Sequence, residues 1–241
     1  MLNTTRTAEL SFHIVDEIGQ EGKNSRVFTA TDLQLNAGIV VKKMIKADFS
    51  SVDEFFSEAS YLHLSSHPNV VPIHYACQDP DHIYLAMPYF DKGSLKRKMQ
   101  GGELSVRDII VFSTQILSGL NNIHSKRLIH FDVKPDNVLF SERGEALLSD
   151  FGLTKQTSYS GIAVQDRIYG SMVPPEAFNT DNFNNQFDLY QFGLTLHRMC
   201  VGDDAFYAEY ASFKDGAVLN RNRYRHAVVN GQFPNKNNYP E

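Results

Sequence analysis

Residues 128–140 read LIHFDVKPDNVLF, and the interpretation of the whole chain turns on this stretch. His130, Asp132, Lys134 and Asn137 place an imidazole, a carboxylate, an ammonium and a carboxamide in one short loop, with an aromatic ring, Phe131, between the first two. The next residues, NVLFSERGEALLSD (137–150), have the pattern of a hairpin: two short apolar runs around a polar turn that contains Gly144. Antiparallel strands bring their outer ends back together with paired Cα atoms about 5 Å apart. Such a hairpin returns Asp150 to the neighbourhood of Asn137 and Asp132. Two carboxylates and a carboxamide oxygen facing one small volume suit a hard cation such as Mg²⁺, which takes the rest of its shell from water and phosphate oxygens. Lys134 adds a mobile positive charge of the kind that neutralises a phosphoryl group in transit.

Outward from this loop the chain divides into two styles. Before residue 90 it is strand-like: SFHIVDEIG (11–19), RVFTATD (26–32), GIVVKKM (38–44) and HIYLAMPY (82–89) are short, rich in β-branched and aromatic residues, and separated by Gly, Asn or Asp. One helix interrupts them. In SSVDEFFSEASYLHL (50–64), Ser51 and Glu54 give a capping-box signal, and Val52, Phe55, Phe56, Ala59 and Leu62 recur at helical spacing. Pro68 ends the run. After residue 91 helices dominate. GSLKRKM (93–99) is a short one, and its Lys96, Arg97 and Lys98 read as an exposed turn. SVRDIIVFSTQILSGLNNIHSK (105–126) is long, capped by Ser105 and Asp108, with Val106, Ile109, Ile110, Ile116, Leu117, Leu120 and Ile123 as its predicted buried stripe. Residues 184–200 are apolar nearly all round, which predicts a buried central post. A strand-rich lobe (1–88) followed by a helix-rich lobe (89–241) predicts a cleft between them, where ligands favour binding.

The bulk numbers set limits. The chain has 241 residues, 42% hydrophobic and 21% charged, an ordinary globular composition. A net charge of −5 lacks the basic excess of a nucleic-acid binder. No run approaches the length of apolar residues that a membrane span needs, and the N-terminus has no apolar leader. Two cysteines, Cys77 and Cys200, read as reduced thiols. The expectation is a soluble cytoplasmic protein with neither nucleic-acid nor membrane partners. His63, His67, His74 and His82 show no metal-ligand spacing and read as surface or packing residues.

The chain resembles the eukaryotic-type protein kinases of the Ser/Thr class over roughly residues 10–240. HFDVKPDN (130–137) is similar to the catalytic-loop motif HRDLKPEN, and SDFGL (149–153) contains the metal-binding DFG. IVVKK (39–43) resembles the VAIK strand, Glu58 the glutamate of the N-lobe helix, DLYQFG (188–193) the start of the central helix, and VPPE (173–176) the APE motif with Pro174 for Ala. These stand in the family's order. The resemblance implies an α+β, bilobal fold: an N-terminal antiparallel sheet with one helix, and a mainly helical C-terminal lobe, here truncated.

It also implies roles. Asp132 would orient the acceptor hydroxyl and take its proton, and Lys134 would contact the γ-phosphate of ATP. Asn137 and Asp150 would hold Mg²⁺, or Mn²⁺ in its place. Lys42 would bind the α- and β-phosphates while paired to Glu58, which lies about 40° round its helix from the buried stripe; strand alternation puts the rival, Lys43, on the opposite face. MPYFDKGSL (87–95) resembles the hinge. Met87 takes the gatekeeper place, and adenine would meet the carbonyl of Pro88 and the N–H of Phe90. Asp188 would brace the backbone of the catalytic loop, and His130 would be a structural hydrogen bonder. Lys134 favours Ser/Thr over Tyr acceptors in a protein substrate.

The departures matter as much. The glycine-rich positions read Gln20, Gly22, Ser25 and Val27, with Gly19 displaced by one. Gly22 keeps the close approach to phosphate, but Ser25 adds a Cβ, which predicts weaker nucleotide affinity. Phe131 replaces the arginine that in many kinases pairs with a phosphate on the activation segment. A ring cannot form a charge-assisted pair, so activity is expected not to depend on that switch, although Thr154, Thr157, Ser158, Tyr159 and Ser160 remain available for phosphorylation. After the central helix, DDAFYAEYASF (203–213) and NRYRHAVVNGQFP (222–234) read as two helices. The family usually adds more, including the arginine that partners Glu176. The expectation is a fragment, or a short kinase whose exposed flank a partner chain covers. Two rival readings stand beside an active protein kinase: a pseudokinase acting as a nucleotide- or protein-binding module, and a small-molecule phosphotransferase on the same fold.

Overall fold

The computed structural model describes residues 11–21, 25–48, 52, 56, 59, 60, 63, 66–165, 172–216 and 218–234. The chain forms two compact units, Met1–Leu64 with Pro72–Tyr89, and Ser65–Val71 with Phe90–Glu241. The expected boundary near residue 88 put everything before it in one lobe. Residues 65–71 instead belong with the second unit, where Val71 N–H donates to the Leu148 carbonyl at 2.8 Å and the Asn69 amide donates to the Ala146 carbonyl at 2.9 Å.

The first unit is built on a five-stranded antiparallel sheet: β1 (Phe12–Glu21), β2 (Ser25–Asp32), β3 (Ala37–Ile45), β4 (Tyr75–Gln78) and β5 (His82–Pro88), in the order β1-β2-β3-β5-β4. The short β4, YACQ, carries no alternating pattern and was not anticipated. It exists because its backbone pairs with β5, Tyr75 opposite Ala86 and Gln78 opposite Ile83. Period-two alternation sorts the side chains into two faces. Ala30, Ile39, Val41 and Ala86 form a buried cluster on one face, with Phe12, Tyr75 and Tyr84 against it. Of the predicted helix, Val52, Phe56, Ala59, Ser60 and His63 are helical and Ala59 is buried; Ser51, Glu54, Phe55 and Leu62 lie outside the described residues.

The second unit packs helices Leu95–Gln100, Val106–Ser125, Gln186–Val201, Asp203–Ala211 and Arg221–Val229 around the predicted hairpin, Val138–Phe140 paired with Ala146–Leu148. Ser105 caps the long helix as expected, its hydroxyl accepting from Asp108 N–H at 3.1 Å. The predicted stripe needs correction. Phe112, Ile116, Gly119, Leu120 and Ile123 are buried, whereas Val106 and Ile110 are 73% and 61% exposed and Leu117 is also exposed. The Phe112 ring anchors that rotation, standing edge-on to Phe140 of the hairpin at 4.8 Å. The two anticipated C-terminal helices close an aromatic core in which Phe206, Tyr210, Tyr224, Val228 and Phe233 pack with Met172 and Leu194. Burial, with lesser help from Tyr190 and Tyr210, pushes the Tyr224 phenol far above its ordinary value.

One glycine fixes the closest approach in this unit. A Cβ on Gly119 would lie 2.5 Å from the Asn69 carbonyl oxygen and 3.0 Å from Leu148 Cδ1. Backbone cannot yield as a flexible side chain can, so Gly119→Ala is expected to cost about 1–3 kcal/mol despite alanine's better helix propensity. Urea unfolding of the two proteins measures it.

Candidate active site

The loop quoted at the outset, residues 130–137, is held by the helix Gln186–Val201. That helix is not the apolar post expected from its pattern: Asp188, Gln191, Thr195, His197 and Arg198 are buried, while Leu189 is exposed. The reason is the loop, whose irregular backbone offers polar groups that strand pairing does not satisfy. Asp188, wholly buried, accepts from His130 N–H and Phe131 N–H, both at 2.8 Å, and its Oδ2 lies 2.7 Å from His124 Nε2. Gln191 accepts from Val133 N–H at 2.8 Å and donates to the Phe131 carbonyl at 3.1 Å. Nothing in the sequence marked Gln191 as a brace.

Phe131 sits at φ +65°, a left-handed conformation that a bulky residue rarely adopts. Its ring compensates by packing edge-on against Phe187 at 4.9 Å and Phe183 at 5.9 Å. Ile129 and Ala163 complete that buried cluster. The aromatic ring in the loop is therefore a core residue. His130 is buried and spans the site structurally: its Nε2 lies 3.0 Å from the Ser149 carbonyl, its Nδ1 accepts from Asp132 N–H at 3.2 Å, and its ring packs at a tilt against Phe151 at 4.9 Å.

The polar cluster itself is tight. Asp132 Oδ2 accepts from Lys134 Nζ and from Asn137 Nδ2, each at 2.8 Å, and Asn137 Nδ2 also donates to the Asp132 carbonyl at 2.9 Å. Both amide hydrogens of Asn137 are thus spent, and the carboxamide oxygen is the end it can offer to a cation. The hairpin brings the second half of the set to it, because Ser149 N–H donates to the Asn137 carbonyl at 2.9 Å, one residue before Asp150. Asp150 also stands at φ +58°, and its Oδ1 lies 3.3 Å from Gly152 N–H. Burial is the largest single influence on Lys134 and pulls its pKa down. The carboxylates of Asp132, Asp150 and Asp136 together outweigh it, so the pKa lies above that of a free lysine. The ammonium stays charged at neutral pH. Among the described residues no three His, Cys, Asp or Glu side chains form a cage for a metal by themselves. A carboxamide oxygen with one carboxylate fits a hard ion that carries most of its shell with it, as Mg²⁺ does with phosphate.

In the first unit, Val27 pairs with Lys42, Lys42 with Leu85, and Val40 with Met87 across the ladders. Val27, Lys42 and Met87 therefore share one face, opposite the Ile39–Val41 cluster. Lys42 is buried, whereas Lys43 lies on the other face with its Nζ 5.9 Å from the Tyr84 ring centroid. Pro88 ends β5, and Phe90 begins the longer segment of the second unit. Gly22 and Glu58 lie outside the described residues. The exposed-turn reading of Lys96 fails: its Nζ donates to Asp136 Oδ1 at 2.7 Å. Arg97 and Lys98 are exposed as expected, the Lys98 ammonium lying over the Phe112 and Phe140 rings. His63 and His67 make backbone contacts, with Ile73 O and Asn69 N–H respectively. Glu176 is exposed; burial first, and then the field of this carboxylate, push the Tyr190 phenol up to about 12.

Comparison with known proteins gives one consistent picture. Residues 12–240 match the family model described as protein kinase domain. The chain is 31% identical over 202 residues to the probable serine/threonine-protein kinase PknB of Lactococcus lactis, covering 81% of this chain and 32% of that protein. It is 29% identical over 199 residues to the serine/threonine-protein kinase fray1 of Dictyostelium discoideum, 79% of this chain and 34% of the relative. With human Rho-associated protein kinase 1 the identity is 30% over 173 residues, 69% of this chain and 13% of that protein. The chain spans about a third of the length of the first of these curated relatives.

Asp188→Asn tests the brace. An amide has one acceptor oxygen, so its NH₂ would face an N–H donor of the loop. The expected loss is about 1–3 kcal/mol of stability for the buried group left unsatisfied, read by chemical denaturation.

Proposed function

This chain belongs to the protein kinase domain family, and from that premise we propose that it is a catalytically active enzyme that transfers the γ-phosphoryl group of ATP to a serine or threonine hydroxyl of a protein. The observation that carries the reading is the convergence of Asp132, Lys134 and Asn137, with Asp150 returned beside them by the hairpin. Lys134 and Asn137 both bond Oδ2 of Asp132, which leaves Oδ1 to align an acceptor hydroxyl and take its proton. Lys134 is charged and lies where it can follow the phosphoryl group. Asn137 and Asp150 would hold the divalent ion, which when bound would supply charge neutralisation to the phosphate oxygens.

Lys42 contacts the α- and β-phosphates and Val27 flanks the adenine, while the family's pattern gives Glu58 the part of orienting Lys42 and Gly22 that of approaching the phosphates. Met87 bounds the adenine pocket, and the Pro88 carbonyl and Phe90 N–H bond the base. The missing N–H of proline is not needed for that contact. The exposed, uncharged row Val106, Ile110 and Leu117 offers a surface for a partner chain.

Incubation with [γ-³²P]ATP, Mg²⁺ and casein is expected to label the acceptor or the chain itself. Asp132→Asn removes a positioned base and should lower the rate by about 10²–10⁴-fold. Absence of label with the unaltered protein would refute the reading.

Phe131 makes a second expectation specific. Its ring is locked in an aromatic cluster, so nothing at that position can read a phosphate. Thr154 and Thr157 are buried, which leaves Ser158, Tyr159 and Ser160 as the exposed hydroxyls of the five. The triple variant Ser158→Ala, Tyr159→Phe, Ser160→Ala keeps the Tyr159 ring over the Arg127 guanidinium, 4.5 Å from its centroid. It should retain phosphotransfer of the same order as the unaltered chain, measured by the same label.

A further inference from the structure

Beside the loop lies a charged cluster that the reaction as described does not use. Asp136 precedes Asn137 in the short turn Pro135–Asn137. Its Oδ1 accepts from Lys96 Nζ at 2.7 Å, and its Oδ2 lies 4.0 Å from Nη2 of Arg198. Arg198 is 1% exposed. Its Nε donates to Asp203 Oδ1 at 2.8 Å, and its guanidinium stacks over Phe206 and Tyr207 at 5.3 and 5.0 Å. Its Nη2 is buried and has no hydrogen-bond partner among the described residues. Lys96 belongs to the helix Leu95–Gln100, Arg198 to the helix Gln186–Val201, and Asp203 to the first turn of the next helix. Two helices thus meet on the Asp136 carboxylate, one residue from a proposed metal ligand, and the third tethers Arg198 through Asp203.

Packing alone does not explain this arrangement. A guanidinium removed from water costs several kcal/mol unless its donors are matched, and a leucine or methionine would fill the same volume between Phe206 and Tyr207. What the charge adds is direction. Arg198 is tethered by Asp203, cannot rotate away from its aromatic neighbours, and presents its remaining arm toward Asp136. Lys96 closes the other side, and its pKa is raised, first by the Asp136 hydrogen bond and then, against burial, by the fields of Asp136, Tyr207 and Asp203. A turn of three residues has little stiffness of its own. Gripping the side chain in its middle limits how far Asn137 can drift.

We propose that Asp136, clamped between Lys96 and Arg198, is a positioning residue that fixes Asn137 for the phosphotransfer reaction. The inference rests on that reading of the site. Asp136 touches neither nucleotide nor acceptor in this scheme; it acts through the turn. A displacement of about 1 Å at a group that orients reactants can cost on the order of a hundredfold in rate, so a clamp of this kind has a measurable consequence.

The test uses the full chain and two readouts. Asp136→Ala keeps the Arg198–Asp203 pair and alters a residue whose side chain is only partly buried, so it should fold. Hydrogen–deuterium exchange is expected to accelerate for amides 133–138 while the helix Val106–Ser125 keeps its protection. Release of ADP with casein as acceptor should fall about ten- to a hundredfold in kcat, with KM for casein unchanged and half-saturation by Mg²⁺ moved to higher concentration. Asp136→Glu, which still reaches Lys96, should restore most of both. Lys96→Met removes the 2.7 Å bond from a half-exposed position and should accelerate exchange in the same amides. Exchange at 133–138 unchanged by Asp136→Ala, or raised equally throughout the chain, would overturn the proposal, as would an unchanged kcat in an active enzyme. An unaltered protein that releases no ADP would sink the phosphotransfer reading instead, and the exchange measurement would still decide whether the clamp exists.

Discussion

The second unit depends on one buried carboxylate. Asp188 takes two backbone N–H groups of a loop that belongs to no helix or sheet, and stands against His124 from a third element. Hydrogen bonds to a charged group contribute about 1.5–3 kcal/mol each, and here they also choose a conformation. With both N–H groups turned toward the helix, the chain between residues 130 and 132 must make a sharp reversal, and that reversal places residue 131 at positive φ. The carboxylate and the strained backbone are two sides of one constraint.

Phe131 shows how the cost of that reversal is offset. The loop can tolerate an aromatic residue at φ +65° because Phe183 and Phe187 receive its ring. An arginine in this place would put a charge into the same apolar cluster with no partner, and an unpaired buried charge is far more costly than backbone strain. Loop geometry here is therefore maintained from inside by packing. Asp150, also at positive φ, is held by different means: the hairpin ladder ends at Ser149, whose N–H is bonded to Asn137, and the next residue turns away.

The helix Gln186–Val201 carries these contacts because its buried face is mixed. Phe187, Leu194 and Met199 supply area removed from water, the main favourable term in folding. Asp188, Gln191, Thr195 and Arg198 supply direction, each aimed at the loop or at a group that touches it. A wholly apolar helix would bury more area and leave the loop's N–H groups without acceptors. The distribution of polar residues along one helix is what ties the fold to the candidate chemistry.

Much of this is legible in the sequence alone. The strand and helix patterns foretold four of the five sheet strands, the long capped helix and both C-terminal helices, since period and capping are local properties of the chain. The grouping of Asp132, Asn137 and Asp150 followed from the hairpin, because antiparallel pairing is a geometric consequence of two apolar runs and a glycine turn. Other features belong to the tertiary structure alone. The rotation of the helix Val106–Ser125 depends on which face Phe140 and Asn69 press against, and periodicity cannot rank two apolar arcs that are both wide enough. The strand Tyr75–Gln78 is defined by its partner and not by its own residues. Lys96 looks like a solvated lysine until Asp136, forty residues away, is folded beside it. Local sequence determined which elements form and which chemical groups the loop carries; only packing between distant segments decided the directions of those groups, because a side chain's partner is set by what the fold brings within about 3 Å of it.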